Sequence, residues 1–195
     1  MYIVLEGIDG AGKSTQTELL NEWLVEKGYK TRKIVEPTKS DIGKLIRQEL
    51  LNPDSTNDIN QQRLTLLFAA DRLTLKEEII DAKNSKKLIL ISDRSFYSSI
   101  CYQNNSSVDS GWIYEVNNYT PRPDLTLLLD LDENKAITRC DKEEVFENID
   151  FLKKTRENYL NLLSTEENIE VVDAGASLED VQENIRKIVK EKLGL

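Results

Sequence analysis

The sequence predicts an α/β fold in which a parallel five-stranded sheet carries helices on both faces. Three observations lead there. Apolar runs at 2–6, 31–35, 87–92, 125–130 and 169–173 are separated by segments of helical periodicity, the alternation that builds strand–helix–strand units. Two of the runs, Leu88-Ile89-Leu90-Ile91 and Leu125-Thr126-Leu127-Leu128-Leu129, are continuous rather than alternating, as expected of strands covered on both sides. The first run, Tyr2-Ile3-Val4-Leu5, passes into Gly7-Ile8-Asp9-Gly10-Ala11-Gly12-Lys13-Ser14 and then into an amphipathic segment from Ser14 to Lys27. A glycine-rich turn thus joins a strand to a helix.

The helices follow in order. The first spans 13–27, with Gly28 as its stop. The next spans 41–51, where Ile42, Leu45, Ile46 and Leu50 form one apolar stripe expected to pack in the core. Further helical patterns cover 58–83, 95–104, 111–118, 133–140, 147–164 and 177–193, the last opening on the capping-box spacing Ser177-x-x-Asp180. Asn52 to Asn57 and Asn104 to Gly111 read as surface loops. Without an internal repeat, low-complexity tract or linker, residues 1–195 read as a single domain.

Composition removes several kinds of chemistry. A net charge of −9 argues against a nucleic-acid polymer as partner, since neutralising a phosphate backbone needs a basic face. The chain has no histidine, so Ser-His-Asp and Cys-His nucleophilic machinery and histidine zinc sites are excluded. Cys101 and Cys140 form no CxxC pair and read as reduced thiols. The N-terminus begins a strand and meets Glu6 and Asp9, unlike a signal peptide. No apolar run reaches the ~18 residues of a membrane span. A cytoplasmic protein without membrane contact is expected.

Gly7 to Ser14 has the spacing of a phosphate-binding P-loop. Its glycines let backbone N–H groups turn around an anion, and the helix that follows aims its positive dipole end there. Lys13 is expected to reach the β- and γ-phosphates, and the Ser14 hydroxyl to ligate Mg²⁺. Residues Gly7, Ile8, Asp9, Gly10, Ala11, Gly12, Lys13, Ser14 and Thr15 are therefore the expected triphosphate cradle of a three-layer P-loop NTPase fold. A GTP switch is disfavoured: the only Asn-Lys, Asn134-Lys135, lacks the Asp of a guanine-reading Asn-Lys-x-Asp, and a DxxG occurs only as Asp9 to Gly12 within the loop itself.

The strand 88–92 runs into Asp93-Arg94, at the sheet edge where ligands collect. Asp93 could hold Mg²⁺ through water and Arg94 could fork onto a phosphate. The stretch Asp93-Arg94-Ser95-Phe96-Tyr97-Ser98-Ser99-Ile100-Cys101-Tyr102-Gln103 resembles the thymidylate kinase signature Asp-Arg-(aromatic or His)-x-x-Ser-x-x-Ala-Tyr-Gln. Leu67-Phe68-Ala69-Ala70-Asp71-Arg72 resembles a second motif of that family, and its Phe68 and Arg72, four apart, share a helix face.

The resemblance implies a transfer of the ATP γ-phosphoryl group to dTMP, giving dTDP and ADP for dTTP biosynthesis. It assigns base stacking to Phe68, the thymine O4 contact to Arg72, thymine N3 to Ser99 and the acceptor phosphate to Arg94. It also places Asp9 opposite the 3′-hydroxyl, Tyr102 against the ribose 2′ position, and Glu36-Pro37 and Ser98 beside the monophosphate. Arg139 matches the arginine that packs on adenine, with Val172-Asp173-Ala174 near it. Family membership further implies a homodimer, with helices such as 58–83 packing across a two-fold axis. Two departures stand out. Where bacterial relatives read Arg-Glu-Pro-Gly-Gly-Thr, this chain reads Val35-Glu36-Pro37-Thr38-Lys39-Ser40, so an acceptor-side cation is missing or comes from Lys39 or Arg47. The family's catalytic arginine is absent from the P-loop, and the lid-like segment 141–148 offers only Lys142. Either Lys142 or Arg139 takes that role, or turnover is slow. Another monophosphate kinase, for dUMP or a purine nucleotide, and a regulatory ATPase are the alternatives.

Overall fold

The computed structural model describes residues 1–104, 107–139 and 149–194. Five parallel strands, β1 (Tyr2–Glu6), β2 (Lys30–Val35), β3 (Leu88–Asp93), β4 (Leu125–Asp130) and β5 (Ile169–Asp173), are ordered β2-β3-β1-β4-β5. The expected sheet is present, and its order explains the sequence pattern. Central strands β1, β3 and β4 are buried almost throughout, whereas edge strands β2 and β5 expose most residues.

Helices α1 (Lys13–Glu26), α2 (Asp41–Leu50), α3 (Asp58–Leu73), α4 (Lys76–Asn84), α5 (Phe96–Gln103), α6 (Ser110–Val116), α7 (Glu133–Ile137), α8 (Ile149–Leu162) and α9 (Leu178–Leu193) surround it. Tyr2, Val4 and Leu90 face Leu75, Ile79 and Ala82, which cover one side of the sheet. Ile3, Leu5, Ile89 and Ile91 point the other way, into the larger core that includes Leu20, Trp23 and Leu24 of α1. This opposition follows from the two-residue side-chain period of a strand. Gly28 adopts φ 84 just past α1, and the Ser177 Oγ accepts from the Asp180 N–H at 3.1 Å, as their positions in the sequence predict.

Two expectations are corrected. The segment 58–83 is not one helix. At its break the Thr74 N–H donates to Asp71 O and the Leu75 N–H to Arg72 O, while the Thr74 hydroxyl donates to Asp71 O at 2.6 Å. These tight bonds end α3 and redirect α4 so that Leu75 and Ile79 lie on the sheet. Apolar spacing persists across the break, and neither Gly nor Pro marks it, so periodicity alone reads straight through. The α2 stripe also differs from a core stripe. Only Ile46 of its four apolar members is buried, and Leu50 lines a cavity instead.

Parallel register sets Leu5 and Val35 beside Asp93, so β1, β2 and β3 end together. The Glu36 N–H continues the pairing to Asp93 O at 3.1 Å. From there residues 36–40 are tied to α3 by Asp71, which is fully buried. Its carboxylate accepts from the Thr38 N–H and hydroxyl, each at 2.6 Å, and from the Ser40 hydroxyl at 2.7 Å. The Ser40 Oγ in turn caps α2 through the Gly43 N–H. Gly43 packs directly on the Thr38 backbone, and a Cβ there would collide with the Thr38 carbonyl oxygen. In an exposed helix interior, Gly→Ala gains about 1 kcal/mol. Here Gly43→Ala is expected to lose about 1–3 kcal/mol through overpacking, seen as a lower urea midpoint; an unchanged or higher midpoint would contradict the close approach.

Candidate active site

β1 delivers the glycine-rich loop to the carboxyl edge of the sheet. Gly7, Gly10 and Gly12 all have positive φ, at 143, 81 and 89°, and side chains at Gly7 and Gly10 would strike the carbonyls of Leu129 and Ala136. The turn is therefore built from residues without Cβ where the chain packs most closely. Lys13, the first residue of α1, is buried. Its Nζ donates to Gly7 O at 3.0 Å and Ile8 O at 2.9 Å and lies 3.9 Å from Asp9. Burial first, then the like charge of Arg94, lowers its pKa to about 8, with Asp9, Asp93 and Glu6 opposing. The Ser14 hydroxyl donates to Asp93 Oδ2 at 2.7 Å.

Arg94 follows β3 in a left-handed conformation, φ 77. Its N–H donates to Leu5 O at 3.0 Å, and its carbonyl accepts from the Ser92 hydroxyl at 2.6 Å. The guanidinium donates to Asp9 Oδ1, to Ser98 Oγ at 3.0 Å and to the Tyr102 hydroxyl at 3.1 Å. Tyr102 donates onward to Asp9 Oδ2 at 2.9 Å. Burial pushes Asp9 upward, but Arg94, Lys13 and Tyr102 outweigh it and hold its carboxyl at about 2. Burial likewise works against the charge of Arg94, yet Asp9 and its neighbours raise its pKa well above the usual value. The pair is ionised across any working pH.

Arg72, at the end of α3, is 1% exposed. Its Nε donates to Glu36 Oε2 at 2.6 Å, Nη1 to Asn117 Oδ1 at 3.0 Å and Nη2 to Ser95 O at 3.1 Å. Burial raises the Glu36 pKa, with Arg72 pulling it back. The guanidinium lies 5.4 Å from the centre of the Phe68 ring, so these two residues do share a face.

Two adjoining cavities open here. One, of about 400 Å³, is lined by Asp9, Glu36, Pro37, Phe68, Arg72, Arg94, Ser98, Ser99 and Tyr102, together with Arg47, Leu50, Leu51, Gln61 and Gln103. The other, of about 650 Å³, is lined by Asp9 to Gln16, Val35, Glu36, Asp93, Arg94 and Arg139, closing on Ala174, Ala176, Leu178 and Val181. Asp9, Glu36 and Arg94 line both. Gly7 and Ile8 stand behind the second cavity, with their carbonyls on Lys13. Lys142 and the lid-like segment 141–148 lie outside the described residues.

Of the two cations suggested for the Glu-Pro loop, Arg47 lines the first cavity, held by the carbonyls of Pro37 and Thr38. Lys39 does not line it. Sequence reasoning missed Gln61 and left Gln103 without a role. Both present a buried Oε1 without a hydrogen-bond partner, as Ser99 does its Oγ. Buried polar atoms are normally satisfied, so three orphaned groups around one cavity point to a polar ligand. Gln103 is legible as part of the Tyr-Gln pair; Gln61 and Asn117 carry no local signal.

Comparison with known proteins identifies the family. The family model described as thymidylate kinase matches residues 5–185. Two curated relatives carry the name "Probable thymidylate kinase". The one from Methanosphaera stadtmanae is 60% identical over the whole of both chains. The one from Methanobrevibacter smithii is 47% identical over all of this chain and 97% of its own. A solved thymidylate kinase from Candida albicans superposes with a TM-score of 0.82 at 28% identity, covering 98% of this chain and 92% of that one. A family match over residues 5–185 and a relative 60% identical over the full length reach beyond the fold alone: the chain belongs to the thymidylate kinase family.

Proposed function

We propose that the 650 Å³ cavity holds ATP and the 400 Å³ cavity holds dTMP, the γ-phosphoryl group passing to the 5′-phosphate of dTMP to give dTDP and ADP for dTTP synthesis. The observation that carries this reading is the sharing of Arg94 between the cavities. Two anions must be brought together, and a single fixed cation at their junction neutralises and aligns both. The acceptor phosphate is itself the nucleophile, so the absence of histidine is no obstacle.

In the donor cavity the loop amides and Lys13 grip the triphosphate. Thr15, Arg139 and Ala174 line the same cavity, and adenine would pack on Arg139. Ser14 and Asp93 supply hard oxygen donors beside that cradle, a set suited to Mg²⁺, which completes its shell with phosphate and water. When bound, the ion neutralises the phosphate oxygens. In the acceptor cavity the base stacks on Phe68, and the Arg72 N–H groups not bound to protein donate to its O4. Ser99 serves N3, Tyr102 crowds C2′ and Asp9 faces the 3′-hydroxyl. Glu36, Pro37 and Ser98 surround the sugar-phosphate. Arg139 or Lys142 supplies the remaining transition-state cation.

The homodimer belongs to this proposal. Ile59, Leu66 and Leu73 are 70, 51 and 42% exposed at seven-residue spacing, so α3 presents an apolar seam of the kind that pairs with a second helix. Cys101 is a free, buried thiol, as a reducing cytoplasm favours; among the described residues no helix is long and apolar enough to cross a membrane.

Three outcomes test the proposal. A monophosphate panel with ATP and Mg²⁺ is expected to release ADP rapidly with dTMP and slowly with purine monophosphates; release indifferent to the acceptor would indicate an ATPase. Phe68→Ala should raise the dTMP requirement about 5- to 150-fold, the worth of one stacked base, with the ATP requirement unchanged. Arg72→Ala is the poorer probe, because it strands the Glu36 carboxylate in the interior at about 3–5 kcal/mol. Finally, free Lys13 loses its charge as pH rises through about 8, whereas bound phosphate holds the proton on. The kcat/KM for ATP should therefore fall above that pH while kcat stays level to higher pH. A flat kcat/KM to pH 9.5 would exclude that assignment.

A further inference from the structure

Behind the faces that meet substrate, Glu6 at the end of β1 is 1% exposed. Its Oε1 accepts from the Ser95 N–H and from the Ser95 hydroxyl, both at 2.7 Å. Its Oε2 accepts from the Ser98 hydroxyl at 2.7 Å and the Tyr159 hydroxyl at 2.8 Å. Among the described residues no lysine or arginine lies within ion-pair distance of it. A buried carboxylate answered only by neutral donors is an expensive way to fill a core, and an apolar residue would serve packing alone. Its partners show what it does. Ser95 follows Arg94, whose backbone is left-handed, and Ser98 Oγ accepts from Arg94 Nη1 at 3.0 Å. One carboxylate thus grips the residue next to that turn and the side chain on which the guanidinium rests.

Proton counting sharpens the point. A carboxylate only accepts, so Ser98 and Tyr159 must both aim their single hydrogen at it. The 3.1 Å contact between those two hydroxyls then carries no proton of its own, and a Ser98 lone pair is left for Arg94. Tyr159 comes from α8, so the arrangement joins β1, α5 and α8 behind one cation.

We propose that Glu6, with Tyr159 completing its set of donors, is a positioning residue that fixes Ser95 and Ser98 so that Arg94 presents its guanidinium to the acceptor phosphate. The assignment rests on the phosphoryl-transfer reading above. Glu6→Gln tests it with little change of shape: the amide retains an acceptor for the Ser95 N–H but offers N–H groups to Ser98 and Tyr159, reversing both bonds. Tyr159→Phe removes one donor of the four and leaves the ring.

The experiment measures dTMP and ATP kinetics, calorimetric affinity for dTMP and for thymidine, and the urea midpoint, in wild type and both variants. The expected result is a rise of about tenfold in KM and Kd for dTMP, the worth of one bond to a charged group. Thymidine affinity should stay within about twofold, since thymidine lacks the phosphate that Arg94 holds. A smaller dTMP effect is expected for Tyr159→Phe. Equal losses for dTMP and thymidine, or no loss in either variant, would overturn the proposal. Should Glu6→Gln fail to fold, Tyr159→Phe alone decides between these results. A wild-type protein that does not phosphorylate dTMP would instead overturn the functional reading, whatever the variants do.

Discussion

Arg94 is the constraint around which the site is organised. Its left-handed backbone costs about 1–2 kcal/mol for a residue with a Cβ, and strain of that kind persists only where surroundings over-determine it. They do so here: Leu5 and Ser92 hold its peptide groups, and Asp9, Ser98 and Tyr102 hold its side chain. A guanidinium left to solvent would have to be ordered during each encounter with substrate. Fixed in advance by three side-chain partners, the guanidinium would meet the acceptor phosphate of the proposed reaction without that entropic cost. Asp9 keeps it charged and oriented, and the pair remains ionised because each partner offsets the burial of the other.

The same logic extends outward through buried polar groups that share elements. Asp71 ties the Thr38–Ser40 loop to α3 without a cation, and its neighbour Arg72 ties Glu36 to Asn117 and Ser95. Two adjacent residues at the end of one helix thereby fix both the 36–40 loop and one wall of the 400 Å³ cavity. The break after Leu73 makes this possible. A continuous helix to residue 83 would carry α4 away from Tyr2, Val4 and Leu90, which it now covers. Replacing such networks with apolar side chains often costs nothing in stability, so their presence is best explained by the geometry they impose.

Much of this was legible in the sequence because it rests on local pattern. Strand positions, the glycine turn with Lys13 and Ser14, and the pairing of Phe68 with Arg72 on one helix face all follow from spacing and residue type. What escaped reading depends on distance along the chain. Glu6 and Tyr159 are 153 residues apart, and Asn117 reaches Arg72 across 45; neither separation leaves a periodic trace. The α3–α4 break escaped because it is made by hydrogen bonds of Asp71 and Arg72 rather than by a breaker residue. Leu50 was misread for a related reason: an apolar stripe records a dry surface but not whether protein or ligand covers it.

The question of the missing arginine also has a structural answer. Position 10 lacks a side chain for two reasons at once: its φ is 81, and a Cβ would meet the carbonyl of Ala136 in α7. An arginine at position 10 would therefore have to displace α7, which itself carries the chain toward Arg139. Loop and helix pack closely at that position, and Arg139, two residues past α7, lines the 650 Å³ cavity. A protein of net charge −9 that binds two anions has few cations to spare near the reaction. Lys13 and Arg94 are each placed by contacts that would have to break before another arrangement could form. How tightly the glycine loop packs at position 10 thus limits where the proposed transition-state cation can come from.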